Sequence, residues 1–455
     1  MPIVGVLAKG SLIRKQIILI SGDIIVGTTI LMLLKTMGPK ALSIGIFSEI
    51  QVILFVPILV LSSYFCEIYN TRVWVLKTVA IRSVTALGIS FILLMLSSIF
   101  SGISWHMIFG LLIFFIFQIL WQCLYQTTFH FPLFTKNIVV IGTGTTALEI
   151  DRLLMASTGK YTFSGYISTA IDPVTIDKSK IIGKIDDIID LCRQYRIHTI
   201  VIALTERRGS LTINKLVSCK LMGVRIIDYP SFYEIMTGKI PVESINPSWL
   251  VQSSGFLITP FIRFIKRTFD ILLSSMVLVL TLPFFPVFVF LVKHKSPGPI
   301  FYFQKRVGKN GTLFTIYKFR SMRTDAESET GAAWAKKDDP RLSRFGNLLR
   351  KTRIDELPQL VNVLNGKMSF IGPRPERPEF VDQISSVTPY YMERHAVKPG
   401  ITGWAQVMYP YGSSLGDSVE KLRYDLYYIN NLSVFLELLI VFKTIKVILF
   451  QRGAR

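Results

Sequence analysis

Four apolar runs fill the first third of the chain, at residues 16–34, 49–65, 79–100 and 107–125, and each approaches the roughly 20 residues needed to cross a bilayer core. The pattern predicts a four-helix transmembrane unit over 1–134. Four crossings return the chain to its starting side, and the flanking charge says which side that is. Lys9, Arg14 and Lys15 precede the first run, and Arg72, Lys77 and Arg82 surround the second connection. No Lys or Arg lies between the third and fourth runs, so that loop is expected outside and both ends of the unit in the cytoplasm. Lys35 and Lys40, in the first connection, run against this rule. Asp23 is an acid inside the first span, open to two readings: a functional group or a helix-packing partner.

After residue 135 the pattern changes to short alternating elements. KNIVVIGTGTTALEI, from Lys136, reads as a buried strand, a glycine turn and a helix start, with Gly142, Gly144 and Ala147 at G-x-G-x-x-A spacing. That spacing suits a nucleotide pyrophosphate, because glycines allow close approach and a helix N-terminus favours an anion. Strand-like runs follow at 161–167, 199–203 and 224–227, with a helical stretch at 185–195. This predicts a Rossmann-like α/β domain, nucleotide- or CoA-binding-like, over 135–235, followed by a linker at 236–261. No acid closes the second strand where a ribose ligand is expected; Asp172 comes late. The domain therefore reads either as a nucleotide site or as a retained scaffold.

A fifth apolar run, 269–292, contains Pro283 and Pro286, and cations flank it on both sides: Arg263, Lys266 and Arg267 before, Lys293 and Lys295 after. Proline removes a helix hydrogen bond and bends the axis. Positive charge at both ends places both on the cytoplasmic side. A re-entrant membrane helix over 262–293, breaking at Pro283, satisfies both observations. The final apolar stretch, 434–450, is only weakly amphipathic, and either lies on the membrane or packs on the protein.

Composition adds the electrostatics. The 455-residue chain is 50% hydrophobic with a net charge of +21, and its mean hydropathy is +0.46. Residues 262–455 carry 29 Lys and Arg against 16 Asp and Glu. Such a surface favours anionic headgroups or phosphorylated substrates; nucleic acid is not expected, since the cations are interleaved with membrane-type segments. The four cysteines form no CxxC pair and the five histidines are scattered, which argues against a disulfide framework and a zinc site.

The chemistry concentrates in RIDELPQLVNVLNGKMSFIGPRPE, residues 353–376. Asp355 and Glu356 are adjacent acids among Arg350, Lys351, Arg353, Arg374 and Arg377. Carboxylates among cations keep low pKa values, which suits a nucleophile or metal ligand. Equally, Asp355 could cap a helix through LPQLVNVL, with Glu356 in its first turn. Upstream, SPGPIFYFQKRVGKNGTLFTIYKFRSM predicts a hairpin turning at 309–311 and displaying Lys305, Arg306, Lys318 and Arg320. Those cations either hold a diphosphate or form a solvated edge.

With KFRSM, RIDELPQLVNVL, SFIGPRPE and KPGITGWAQV in this order, the region from Arg263 onward closely resembles the bacterial polyprenol-phosphate phosphoglycosyl transferases. The four spans and the Rossmann-like unit resemble the long, polytopic branch of that family. The resemblance implies a monotopic catalytic domain at 262–455 in a multi-pass protein of the bacterial inner membrane, with catalysis on the cytoplasmic face. It implies transfer of a sugar 1-phosphate from a UDP-sugar to undecaprenyl phosphate, giving undecaprenyl diphosphate-sugar and UMP, with Mg2+. Asp355 would be the nucleophile and Glu356 would assist, both near the metal. Lys318, Arg320, Arg353, Arg374 and Glu376 form the candidate substrate-binding set. Where relatives often place Ser before the breaking proline, this chain has Leu282, and Lys367 stands where they often carry an acid. A homo-oligomer is compatible with the sequence, and the sugar is not legible in it. Two competing readings are a non-catalytic membrane scaffold and a processive glycosyltransferase; the second lacks a nucleotide-sugar domain with a DxD element.

Overall fold

The computed structural model describes residues 11–37, 45–69, 76–97, 105–129, 136–155, 161–169, 172–204, 213–253, 255–295, 298–323, 341–409, 412 and 414–449. Lys9, Lys40 and Arg72, used above for orientation, lie outside them. The chain divides into two compact units, Met1–Met236 and Thr237–Arg455.

In the first unit, helices α1 (Ser11–Met37), α2 (Gly45–Phe65), α3 (Leu76–Ser97) and α4 (Trp105–Phe129) pack around Ile30, Phe55, Leu59, Ala86, Leu111 and Phe114. Their polarity is inverted relative to a water-soluble bundle. Asp23, Ser62, Ser63, Ser90, Gln118 and Gln122 are buried, while Ile25, Met32, Ile53, Val84, Phe109 and Leu120 face outward. Apolar side chains on both the inside and the outside require an apolar surrounding medium. Apolar helical stretches at Thr78–Met95 and Met107–Tyr125 are long enough to cross a membrane, and those of α1 and α2, Ile18–Leu34 and Val52–Phe65, are shorter. Asp23 accepts a hydrogen bond from Tyr69 Oη (2.6 Å) and another from the Gln118 amide, which also donates to Ser63 Oγ (2.9 Å). It serves as an interhelical packing partner.

The Rossmann-like part of this unit is a five-stranded parallel sheet in the order β3-β2-β1-β4-β5. The strands are β1 (Lys136–Ile141), β2 (Tyr161–Ser168), β3 (Ile181–Lys184), β4 (Thr199–Ile202) and β5 (Arg225–Asp228). Of these, β3 was not anticipated: Gly183 interrupts the short apolar run of IIGK. In β1, Val139 and Ile141 enter one core layer, and Ile138 and Val140 the other, so both faces of the central strand are covered. Helix α5 (Thr145–Met155) follows the glycine turn, α6 (Ile188–Gln194) follows β3, and α7 (Ile213–Leu221) precedes β5.

The second unit opens with segment 237–253 folded onto its own body. Trp404 Nε1 donates to Gly238 O at 2.9 Å, and Arg423 pairs with Glu243 at 2.7 Å. The fifth apolar segment is helix α8 (Pro260–Thr281), a 3-10 turn at Leu282–Phe284, and helix α9 (Phe285–Lys295). Proline 283 stands in that turn, where helical bonding changes register. Both ends of the segment are tied to the same α/β body. On α8, Asp270 accepts from Ser369 Oγ (2.8 Å) and Phe370 N (2.9 Å), and Arg267 donates to Val363 O (2.6 Å) and Leu364 O (2.7 Å). On α9, Phe285, Phe288 and Val292 pack with Phe319 and Leu349. Between these anchors Leu272, Met276, Val279, Leu280, Leu282 and Phe284 are exposed.

Strands β6 (Phe301–Val307) and β7 (Leu313–Phe319) form the expected antiparallel hairpin, turning at Lys309–Gly311 with Asn310 and Gly311 at positive φ. Next come α10 (Arg344–Lys351), α11 (Gln359–Leu364), β8 (Ser369–Ile371), α12 (Pro378–Ser385), β9 (Gly400–Thr402), α13 (Leu415–Asn430) and α14 (Val434–Leu449). Strands β8 and β9 pair in parallel, Ser369 with Gly400 and Ile371 with Thr402. Their chain segments interlock so closely that a Cβ on Gly372 would strike the Lys398 carbonyl, and one on Gly400 the Gly372 amide. Helix α14 buries Leu436, Glu437 and Ile440 and leaves Phe435, Leu438 and Phe442 exposed, so it packs on the protein along one face.

Candidate active site

The acid pair is delivered by a turn that no hydrophobic period announces. Helix α10 ends at Lys351, and Arg353 adopts a left-handed backbone (φ 59°), which costs a non-glycine residue about 1 kcal/mol. A 3-10 turn, Ile354–Glu356, follows, and α11 begins only after Pro358. The capping expectation is thereby corrected: Asp355 and Glu356 both lie inside the 3-10 turn, and Pro358 occupies the cap position. Each acid is only 5% exposed.

The two carboxylates have different surroundings. Glu356 Oε1 meets Arg374 Nη2 at 2.9 Å and Lys318 Nζ at 3.2 Å, and its Oε2 meets Arg353 Nη1 at 3.3 Å. Lys318 comes from β7 and Arg374 from the segment after β8, so two distant pieces of sequence join Arg353, of the acid's own turn, around one carboxylate. Asp355 has a buried Oδ1 with no hydrogen-bond partner among the described residues.

Electrostatics separate the pair further. Burial acts to raise Glu356, but Arg374, Lys318 and Arg353 outweigh it and hold the carboxyl well below its usual range. Asp355 is pushed up to about 6, first by burial and then by the charge on Glu356. The expectation that both acids keep low pKa values is therefore corrected for Asp355: the cations satisfy its neighbour instead. Burial lowers Lys318, with Glu356 opposing that effect.

Of the other anticipated residues, Glu376 acts on Arg374 through its charge. Glu376 lies 3.7 Å from Arg306, and its backbone carbonyl accepts from Val307 N. Arg320 is buried just past β7, where its amide donates to Ile300 O. Two groups that had not been singled out lie behind Arg374: Arg394, which donates to Arg374 O at 3.0 Å, and Asp425, paired with Arg394 at 2.8 Å. The sequence signal for Asp425 was a charge inside an otherwise apolar helical pattern, in LRYDLYYI; Arg394, in YMERHAVKPG, carried no comparable one.

Among the described residues no cluster of three or more His, Cys, Asp or Glu could hold a metal. A carboxylate with a partnerless oxygen, as Asp355 has, still suits a hard cation such as magnesium, which commonly takes one or two carboxylates and completes its shell with water and substrate phosphate. Glu356 is committed to three cations.

In the Rossmann-like domain the glycine turn is present but filled. Gly142 takes φ +121°, where a Cβ would strike Ala203 O, and Ala147 is fully buried against the sheet. The amides of Thr143 and Gly144, which open toward the start of α5, donate at 2.6 and 2.9 Å to one oxygen of Asp172. The chain's own carboxylate thus takes donors that a pyrophosphate uses in a dinucleotide fold.

Apolar helices of membrane-spanning length and an α/β body with a buried acid pair inside a cation cluster define a membrane protein whose site is suited to anions. The bacterial sugar transferase family matches residues 261–451, and the chain belongs to it. It is 44% identical over 240 residues to the UDP-N-acetylgalactosamine-undecaprenyl-phosphate N-acetylgalactosaminephosphotransferase of Aeromonas hydrophila, covering 53% of this chain and 56% of that one. It is 30% identical over 335 residues to the UDP-glucose:undecaprenyl-phosphate glucose-1-phosphate transferase of Xanthomonas campestris pv. campestris, covering 70% and 68%. It is also 41% identical over 186 residues to the exopolysaccharide production protein PSS of Rhizobium leguminosarum, covering 40% of this chain and 93% of that one. The chain spans little more than half the length of the first of these relatives.

Proposed function

We propose that this protein transfers a sugar 1-phosphate from a UDP-sugar to undecaprenyl phosphate through a covalent Asp355 phosphosugar intermediate. The observation that carries the reading is the division of labour in the acid pair. Glu356 is neutralised by Lys318, Arg353 and Arg374, and Asp355 keeps a buried oxygen with no hydrogen-bond partner among the described residues. In the first step that oxygen forms a bond to the sugar-bearing phosphorus, and the anhydride bond to the uridine phosphate breaks, releasing UMP. In the second, an oxygen of undecaprenyl phosphate bonds to the same phosphorus and the Asp355 carboxylate leaves. No net proton is required. The cations around Glu356 offset charge on the diphosphate oxygens, which otherwise repel an attacking carboxylate. The Asp355 oxygen that does not attack, with the phosphate oxygens, would hold Mg2+, which supplies further charge neutralisation when bound.

The membrane arrangement that goes with this reading has four crossings by α1–α4 and a re-entrant α8–α9 that keeps the site at the cytoplasmic headgroup level. Support comes from the two anchors of that segment: Asp270 and Val292 both pack on the same body, as a hairpin does and a straight crossing does not. Impermeant maleimide applied to intact cells should leave single cysteines at 263 and 293 unlabelled; labelling of one alone would mean a full crossing.

The donors named for the relatives are UDP-N-acetylgalactosamine and UDP-glucose. Purified protein with undecaprenyl phosphate, magnesium and a panel of UDP-sugars is expected to release UMP from one donor. UDP as the product would mean sugar transfer rather than phosphosugar transfer.

For the Rossmann-like domain, Asp172 in the glycine turn favours the scaffold reading. The full chain should gain no thermal stability from millimolar NAD, and Asp172→Ala should lose about 1–3 kcal/mol by removing an acceptor of two amides. A rise in melting temperature with NAD would restore the nucleotide-site reading.

A further inference from the structure

We infer that Arg394, locked by Asp425, is a positioning residue that sets Arg374 against Glu356; the inference rests on the reaction proposed above. It starts from the sequence Pro373-Arg374-Pro375-Glu376. Two prolines in four residues remove two backbone donors, so this segment cannot be held through a regular ladder of its own N–H groups. Its carbonyls are held instead. Arg374 O accepts from Arg394 Nη2 (3.0 Å), Pro375 O from Arg306 Nη1 (3.1 Å) and Glu376 O from Val307 N (3.0 Å). Three consecutive carbonyls are thus fixed from outside, two of them by guanidinium groups.

The Arg394 end of this clamp is built as a rigid part. Its Nε and Nη2 both reach Asp425 Oδ2, at 3.1 and 2.8 Å, and its Nη1 donates to Tyr391 Oη at 2.9 Å. The guanidinium carbon lies 5.1 Å from the centre of the Tyr391 ring. Both charged side chains are at most 5% exposed, and Asp425 projects from the buried face of α13, between Leu422 and Tyr428. A planar five-donor group suits this task, because it can hold an acid, a hydroxyl and a carbonyl in fixed directions at once. Arg374 itself is different: its side chain is 38% exposed and long. With its backbone fixed from below, that side chain reaches Glu356 at 2.9 Å without sampling many conformers. Arg394 touches neither acid, so it acts through Arg374.

The test combines kinetics with a readout that needs no turnover. Arg394→Lys keeps the charge opposite Asp425 but has one nitrogen where three donors are used; Arg394→Gln removes the charge. Folding is checked by the thermal melt of each detergent-purified full-length variant. In any variant that folds, UMP release from the donor the wild type accepts should fall about 100-fold, the scale of an ångström-sized misplacement. In an Arg374→Gln background the same change should add less than about threefold, because residues acting as one unit are not additive. Independently, phenylglyoxal labelling of Arg374, followed by peptide mass spectrometry, should rise severalfold once the side chain is no longer held on Glu356. Wild-type labelling of Arg374 in a folded Arg394 variant, or losses that multiply in the double variant, would overturn the inference. Absence of UMP from wild-type protein with every donor would sink the reaction reading instead, and the labelling would still decide the clamp.

Discussion

Asp355→Asn is expected to abolish UMP release, by about 10^4-fold or more, in a protein that is as stable as the wild type or more so. The kinetic half follows from removal of the proposed nucleophile, which its neighbour cannot replace: Glu356 is held by three cations and points its charge into them. The stability half follows from the pKa. Asp355 is raised from 3.8 to about 6 in the folded chain by burial and by Glu356. The protonated form therefore favours folding below 3.8, and this contribution is lost as pH rises through about 6. At pH 8 the ionised carboxylate destabilises the fold by roughly 3 kcal/mol at most, and a neutral amide of the same shape avoids that cost. The same pKa predicts the acid limb of the wild-type rate under the proposed mechanism: kcat/KM should fall about tenfold per pH unit below about 6 as Asp355 is protonated. Thermal melts and UMP release across pH 5–8 check all three. A clearly less stable Asp355→Asn protein would contradict the assigned environment.

Glu356→Gln should do the opposite to stability. It removes the anion beneath Lys318, Arg353 and Arg374, at 3.2, 3.3 and 2.9 Å, and leaves three cations facing one another around a neutral amide. Breaking a buried charge cluster from one side costs about 3–5 kcal/mol. Because the cations also lose their fixed directions, turnover is expected to fall by about 10^3-fold, as when a preorganised charge-stabilising group is lost. For wild type, the Glu356 contribution is present above pH 4.5 and is lost as pH falls towards its depressed folded value. Denaturant unfolding of the two amide variants side by side is the measurement. Adjacent acids whose isosteric amides shift stability in opposite directions would be the signature of this site, and equal shifts would refute it.

Much of this was legible in the chain. Apolar runs of span length gave the helices, because a bilayer imposes a length and a polarity that can be counted. Alternation after residue 135 gave four of the five parallel strands; β3 escaped because Gly183, which has no side chain to pack, interrupts its short apolar run between lysines. The hairpin at Lys309–Gly311 announced itself through its glycines. The acid pair and the cations Lys318, Arg353 and Arg374 could be named as candidates because charges beside apolar runs are conspicuous.

What the sequence by itself determined is therefore the inventory: membrane helices, a parallel α/β domain, a proline-broken apolar segment and an acidic dipeptide in a basic region. These are consequences of local period, proline chemistry and charge, each readable within some twenty residues. Only the tertiary structure decided how the charges are shared. Which acid takes the cations depends on β7, a left-handed Arg353 and the Pro373–Glu376 segment meeting in one place, and Coulomb energy depends on that separation and not on distance along the chain. The same reason explains Asp172 in the glycine turn and Arg394 behind Arg374. Both are long-range contacts between groups that carry no local signal of their partner.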